Sequence, residues 1–156
     1  DGIFKYCISL RHVIVPNGMT YKGNGGGFQN AEMLRTISTP VDFKVNLNNM
    51  FPNCYRLRRV TIPYDATAIG ASCFNYNTSQ FEMVFPKDIS SLGGASLTTD
   101  NSVILHFRAT VPPTITSSFF STIGAETVIY VPADSVDDYK GATGWSSVAA
   151  KIQAEP

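Results

Sequence analysis

The stretch Phe51-Pro52-Asn53-Cys54-Tyr55-Arg56-Leu57-Arg58-Arg59-Val60-Thr61-Ile62-Pro63 decides the fold. A phenylalanine leads, and a proline stands twelve residues on. Between them Val60 and Ile62 alternate with polar neighbours, the pattern of a short strand with one buried face. Pro63 closes that strand, where it removes only one ladder donor. The same frame recurs from Phe4 to Pro16, Phe28 to Pro40, Phe74 to Pro86 and Phe120 to Pro132. The leading phenylalanines lie 24, 23, 23 and then 46 residues apart, and 46 is twice 23. Leu97 and Ala109 occupy the positions of the skipped unit.

Inside each repeat, or rung, the offsets are regular. Three residues after the leading position stand Cys7, Ala31, Cys54 or Asn77, and six after it Leu10, Leu34 or Leu57. The alternating pairs are Val13 with Val15, Ile37 with Thr39, Met83 with Phe85, and Ile129 with Val131. The Phe-led segment is too short for a long helix and reads as a turn or 3₁₀ piece. One rung cannot bury its own apolar side, but stacked rungs share a continuous core. The pattern therefore predicts an α/β repeat, a solenoid of about six 23-residue rungs starting near 4, 28, 51, 74, 97 and 120 and filling residues 1–132.

The fifth rung tests this expectation. Strict counting turns His106 and Arg108 inward, whereas a slip of one residue turns Leu105 and Phe107 inward. Burying an unpaired arginine costs roughly several kcal/mol. A slipped register is therefore expected, with a bulge or altered turn near Val111-Pro112-Pro113.

After Pro132 the period breaks. Ser135-Val136-Asp137-Asp138 has the form of a helix N-cap followed by acids, so a short helix should run to about Lys140 and end at Gly141 or Gly144. A second short helix is expected over Ser146 to Gln153, with Val148 and Ile152 on one side. Residues 133–156 thus read as a C-terminal helical cap. The single Trp145 is read as the anchor covering the last rung, with sugar stacking as the alternative.

Composition removes several function classes. The chain has 156 residues, 44% hydrophobic and 15% charged, which excludes a disordered tail and is ample for one core. Twelve Lys and Arg balance twelve Asp and Glu, so a strongly basic nucleic-acid binder is not expected. No apolar run reaches the length of a transmembrane helix, and no signal peptide is visible.

Candidate chemical sites are sparse. Cys7 and Cys54 sit two rungs apart, roughly 10 Å at about 4.8 Å per rung, too far for a disulfide. They read as small apolar core residues. A Cys54–Cys73 bridge stays open as an alternative, and without a CxxC pair no zinc site is expected. Gly23-Asn24-Gly25-Gly26-Gly27 superficially resembles a phosphate cradle but lacks the surrounding motif, so it reads as a surface insertion. His12 and His106 stand four rungs apart, roughly 20 Å, and cannot share a site. No serine sits in a nucleophile elbow. Asp134, Asp137 and Asp138 read as helix-start acids rather than a calcium site. Asn77-Thr78-Ser79 matches a glycosylation sequon, with a plain turn as the simpler reading. No catalytic residue, metal site or cofactor is expected.

The frame Ile69-Gly70-Ala71-Ser72-Cys73-Phe74, together with Phe51 to Pro63, resembles the leucine-rich repeats of the BspA-like class. The tail from Ile129 to Lys140, with Gly144-Trp145-Ser146-Ser147, resembles the ending of many such proteins from gut Bacteroidetes and their phages. The resemblance implies a right-handed solenoid and a non-enzymatic, surface-exposed or secreted binding module. The chain begins just past the Ile-Gly position of a unit, so it is expected to be the C-terminal part of a longer protein or a proteolytic fragment. Its front end should expose apolar surface and favour self-association.

The strand face is the expected contact surface. Ile14, Ser38, Thr61, Val84, His106 and Tyr130 form one outward column, and His12, Thr36, Arg59, Glu82 and Val128 a second. Arg11, Arg35 and Arg58 align at one offset just before them. The face reads as basic toward the front and apolar toward the back. Arg11, Arg35, Arg58, Arg59 and Tyr130 are the candidate contacts for a protein or glycan on a host or bacterial surface. A phage tail or virion protein recognising a host cell, and an inert spacer, are the alternatives.

Overall fold

The computed structural model describes residues 2–16, 26–38, 49–78, 80–94, 97–116, 118–120 and 122–156. Asp1, Gly23 to Gly25, Thr39, Pro40 and Ser79, which figure in the expectations above, lie outside the described residues.

Strands numbered in chain order are β1 (His12–Ile14), β2 (Thr36–Ser38), β3 (Arg59–Thr61), β4 (Ala68–Ile69), β5 (Phe74–Asn75), β6 (Glu82–Phe85), β7 (Ser91–Leu92), β8 (Leu97–Thr98), β9 (Ile104–Phe107), β10 (Thr114–Ile115), β11 (Val128–Val131) and β12 (Ile152–Ala154). Seven of them form one parallel sheet in the order β1-β2-β3-β6-β9-β11-β12. Two smaller parallel sheets, β4-β7-β10 and β5-β8, lie on the connecting segments.

Register follows the repeat. Val60 pairs with Ile37 and Met83 with Val60, each one rung on. The alternating residues Ile37, Val60, Met83, Phe85, Ile129 and Val131 are all buried. At the fifth rung the expected slip is present: Met83 pairs with Leu105 and Phe85 with Phe107, a step of 22, while Leu105 pairs with Ile129, a step of 24. Leu105 and Phe107 are buried and Arg108 is exposed. The missing residue falls between Leu97 and Ile104, because Leu97 still pairs 23 on from Phe74. The compensating one falls before Thr114, which pairs 23 on from Ser91, and so it includes the Val111-Pro112-Pro113 turn.

The turns are stacked as tightly as the strands. Rings of Phe4, Phe28, Phe51 and Phe74 pile face to face at 5.1, 5.5 and 5.4 Å between centroids. Two residues after this column Tyr6, Asn30, Asn53 and Tyr76 all take left-handed backbone near φ 60°. Two residues before it Gly26, Asn49 and Ser72 also have positive φ, as does Ser118 two residues before Phe120. These twists let alternate N–H groups reach the next rung: Asn30 donates to the Pro52 carbonyl at 3.0 Å, Phe28 to Met50 at 2.9 Å and Gly26 to Asn49 at 2.7 Å. At the last turn Phe120 keeps the backbone register, but neighbouring Phe119 is the fully buried ring and Phe120 is half-buried.

The tail differs from expectation in two places. A short 3₁₀ turn, Ala133–Ser135, leads into α1, Val136–Gly141, as anticipated, yet Ser135 makes no side-chain capping bond. The second helix is a 3₁₀ segment that stops at Lys151. Ile152 and Gln153 belong instead to β12, paired in parallel with β11. The open edge of β11 offers a full ladder to the following residues, which a further helical turn would leave unmade. Tyr139 and Trp145 are fully buried, and their hydroxyl and indole N–H donate to the carbonyls of Ala109 (2.8 Å) and Pro113 (2.9 Å). Gly144 sits at φ +85° with Ile115 only 2.9 Å from where a Cβ would stand.

Candidate functional site

The ladder brings three of the arginines into line. The Arg35 N–H donates to the Arg11 carbonyl and the Arg58 N–H to the Arg35 carbonyl, each at 2.8 Å. Arg11, Arg58 and Arg59 are exposed and Arg35 is half-buried. Arg11, Arg35 and Arg58 thus stand in register just before β1, β2 and β3, with Arg59 opening β3, and a guanidinium can take an anionic partner in bidentate fashion.

Tyr130 does not join them. Three strand spacings separate β3 from β11, roughly 14 Å. Tyr130 stacks instead on His106, with ring centroids 5.0 Å apart. His106 in turn meets Glu155 through Nδ1 at 2.9 Å and Glu82 through Nε2 at 3.8 Å. Glu82 also pairs with Arg59 at 3.4 Å. The back of the face is therefore not wholly the apolar surface expected: Ile104 is exposed there as an apolar residue, but Glu82 and Glu155 flank His106. Glu155 could not be placed from sequence because it reaches the face only through the pairing of β12.

The remaining candidates resolve simply. His12 accepts or donates to the Thr36 hydroxyl at 2.9 Å, four strands from His106. The three cysteines are free, so the Cys54–Cys73 bridge is not made. Burial pushes the Cys54 thiol up to about 12 and raises that of Cys73 as well. Asp137 and Asp138 lie in the first turn of α1. Trp145 is packed against Phe107 and Tyr139, which removes it as a sugar-stacking surface. Asn77 of the sequon is buried, its Oδ1 taken by the Cys54 N–H at 2.9 Å, so it is not presented for glycosylation. Around the first rung Ile3, Phe4, Tyr6, Ile8 and Ile14 are exposed. Among the described residues no helix is long and apolar enough to cross a membrane.

The family model for the BspA type leucine rich repeat region matches residues 1–127 in six copies. No curated protein matches the chain.

Proposed function

Because the chain belongs to the BspA-type leucine-rich-repeat family, we propose that it is a non-enzymatic adhesion module, surface-exposed or secreted, that binds a protein or glycan partner through its strand face. The observation that carries this reading is the registered arginine column of Arg11, Arg35 and Arg58 with Arg59 beside it. Such a column suits a partner surface rich in carboxylates or sulfates, and its charge steers association at low salt. Tyr130, stacked on His106, supplies an aromatic contact further back. In this reading residues 1–132 form the right-handed solenoid and residues 133–156 its cap, for which the buried Tyr139, Trp145 and Val148 speak.

The test is fluorescently labelled protein against immobilised mucin, fibronectin and whole bacterial cells. Changing Arg35, Arg58 and Arg59 together to alanine should leave thermal stability nearly unchanged and weaken capture by about tenfold or more. Undiminished capture by the triple variant removes this face from consideration.

A further inference from the structure

A second surface lies on the turns and uses none of the strand-face residues. Tyr55, Tyr76, Asn77, Thr78, Asp100 and Asn101 line a groove of about 600 Å³. We infer that this groove binds a neutral linear oligosaccharide, with the tyrosine rings against the sugar faces and the amide and carboxylate groups taking its hydroxyls.

Tyr76 is the first argument. It occupies the left-handed column at φ 60°, as Tyr6 does in the first rung, whereas the two rungs between them place Asn30 and Asn53 there. Asparagine tolerates that backbone, whereas a bulky side chain pays for it with strain of order 1–3 kcal/mol. The ring is nevertheless 63% exposed, so packing gives no return for that strain. Tyr55, 38% exposed, lines the same groove.

Asn77 is the second argument. It is fully buried, and while its Oδ1 accepts from Cys54, its Nδ2 has no hydrogen-bond partner among the described residues. A buried donor of this kind in the lining of a groove is a place for a water that bridges to a ligand hydroxyl.

The lining chemistry narrows the ligand. Hydroxyls, amides and the single carboxylate of Asp100 surround two aromatic rings, with no cation among them. Aromatic bodies with polar rims match sugars, which present C–H faces edged by hydroxyls. The lone Asp100 repels an acidic sugar. The rims are held in place from rung to rung, the Thr78 hydroxyl donating to the Tyr55 carbonyl at 3.3 Å and the Asn101 amide to the Thr78 carbonyl. Asn53 and Tyr76 are shared with an adjoining groove along the same turns, which reaches the first rung and carries Lys5 there, so the track continues across rungs and stays free of cations only around Tyr55 and Tyr76. Its repeat, the 5.1–5.5 Å between stacked phenylalanine rings, is close to the length of one pyranose unit.

The experiment is calorimetric titration of the chain with neutral hexasaccharides (β-1,4-linked glucose, xylose and mannose, and α-1,4-linked glucose) beside hexagalacturonate as an acidic control. At least one neutral hexamer should bind at millimolar concentration or below, and better than the acidic one. Tyr76→Asn, the residue that the two preceding rungs use there, should keep the melting temperature or raise it while weakening binding by about tenfold. Tyr76→Phe should retain binding. The Arg35, Arg58 and Arg59 triple alanine variant should bind the sugar as before, which separates this site from the strand face. Absence of binding by all four neutral hexamers, preference for hexagalacturonate, or unchanged binding by Tyr76→Asn each overturns the inference.

Discussion

Replacing Phe51 with alanine should cost far more than the same change at Phe4, and the difference measures how the rungs hold together. Phe51 is 2% exposed and lies between Phe28 and Phe74, stacked on both. Phe4 is 37% exposed and stacks on Phe28 alone. Truncating a buried phenylalanine removes its transfer energy and leaves a cavity, about 3–5 kcal/mol in all. The half-exposed ring at Phe4 has less area to lose and one neighbour, which sets its cost at about 1–2 kcal/mol. For a chain of this size about 2–4 °C accompanies each kcal/mol, so Phe51→Ala should melt roughly 6–20 °C lower. Scanning calorimetry of the two variants beside the parent reads this directly. In a stacked array each interface contributes separately, so the Phe51 change weakens two interfaces and the Phe4 change only one. Equal losses at the two positions, or a loss under about 1 kcal/mol at Phe51, would refute the argument that the ring column carries the stack.

Two other perturbations follow from the buried groups. Cys54 has its thiol raised from 9.0 to about 12 by burial, so the folded chain holds that proton after the unfolded chain has released it. Stability should therefore be unaffected by this group below about pH 9 and fall as the pH climbs from there toward about 12, an effect that Cys54→Ala should diminish in denaturant titrations. Tyr139→Phe deletes the hydroxyl that donates to the Ala109 carbonyl at 2.8 Å and leaves that buried acceptor without it. A loss of about 1–3 kcal/mol is expected in urea unfolding, with the emission of the buried Trp145 unshifted before the transition.

The main sheet was readable because its signal is redundant. Val60 and Ile62 alone are ambiguous, but the same pair at one offset in successive rungs is not. Even the irregular rung could be read, since Arg108 cannot be placed inside a core while Phe107 can. Other features were hidden for identifiable reasons. Ile152 to Ala154 is too short to declare itself as a strand, and only the unpaired edge of β11 makes it one. Phe119 carries the burial expected of Phe120, whose ring meets Phe119 and the tail residue Trp145 edge to face, and such contacts between distant segments leave no local trace. Three of the arginines come together because they share an offset, while Tyr130 shares their face but lies several strands away from them. Glu155 and the groove beside Asn77 depend on contacts between rungs, visible only once the register is known.

The fifth rung loses one residue before its strand and regains one after it. Its consequence resembles a dislocation that heals within a single lattice plane. An insertion or deletion in an ordinary domain displaces everything downstream; here the displaced phase is restored before Thr114, and the later rungs stand as though nothing had been removed. Length variation can thus accumulate in the turns without propagating along the array. A lineage of such chains is free to trade residues within a turn, so long as each loss is balanced before the next strand begins.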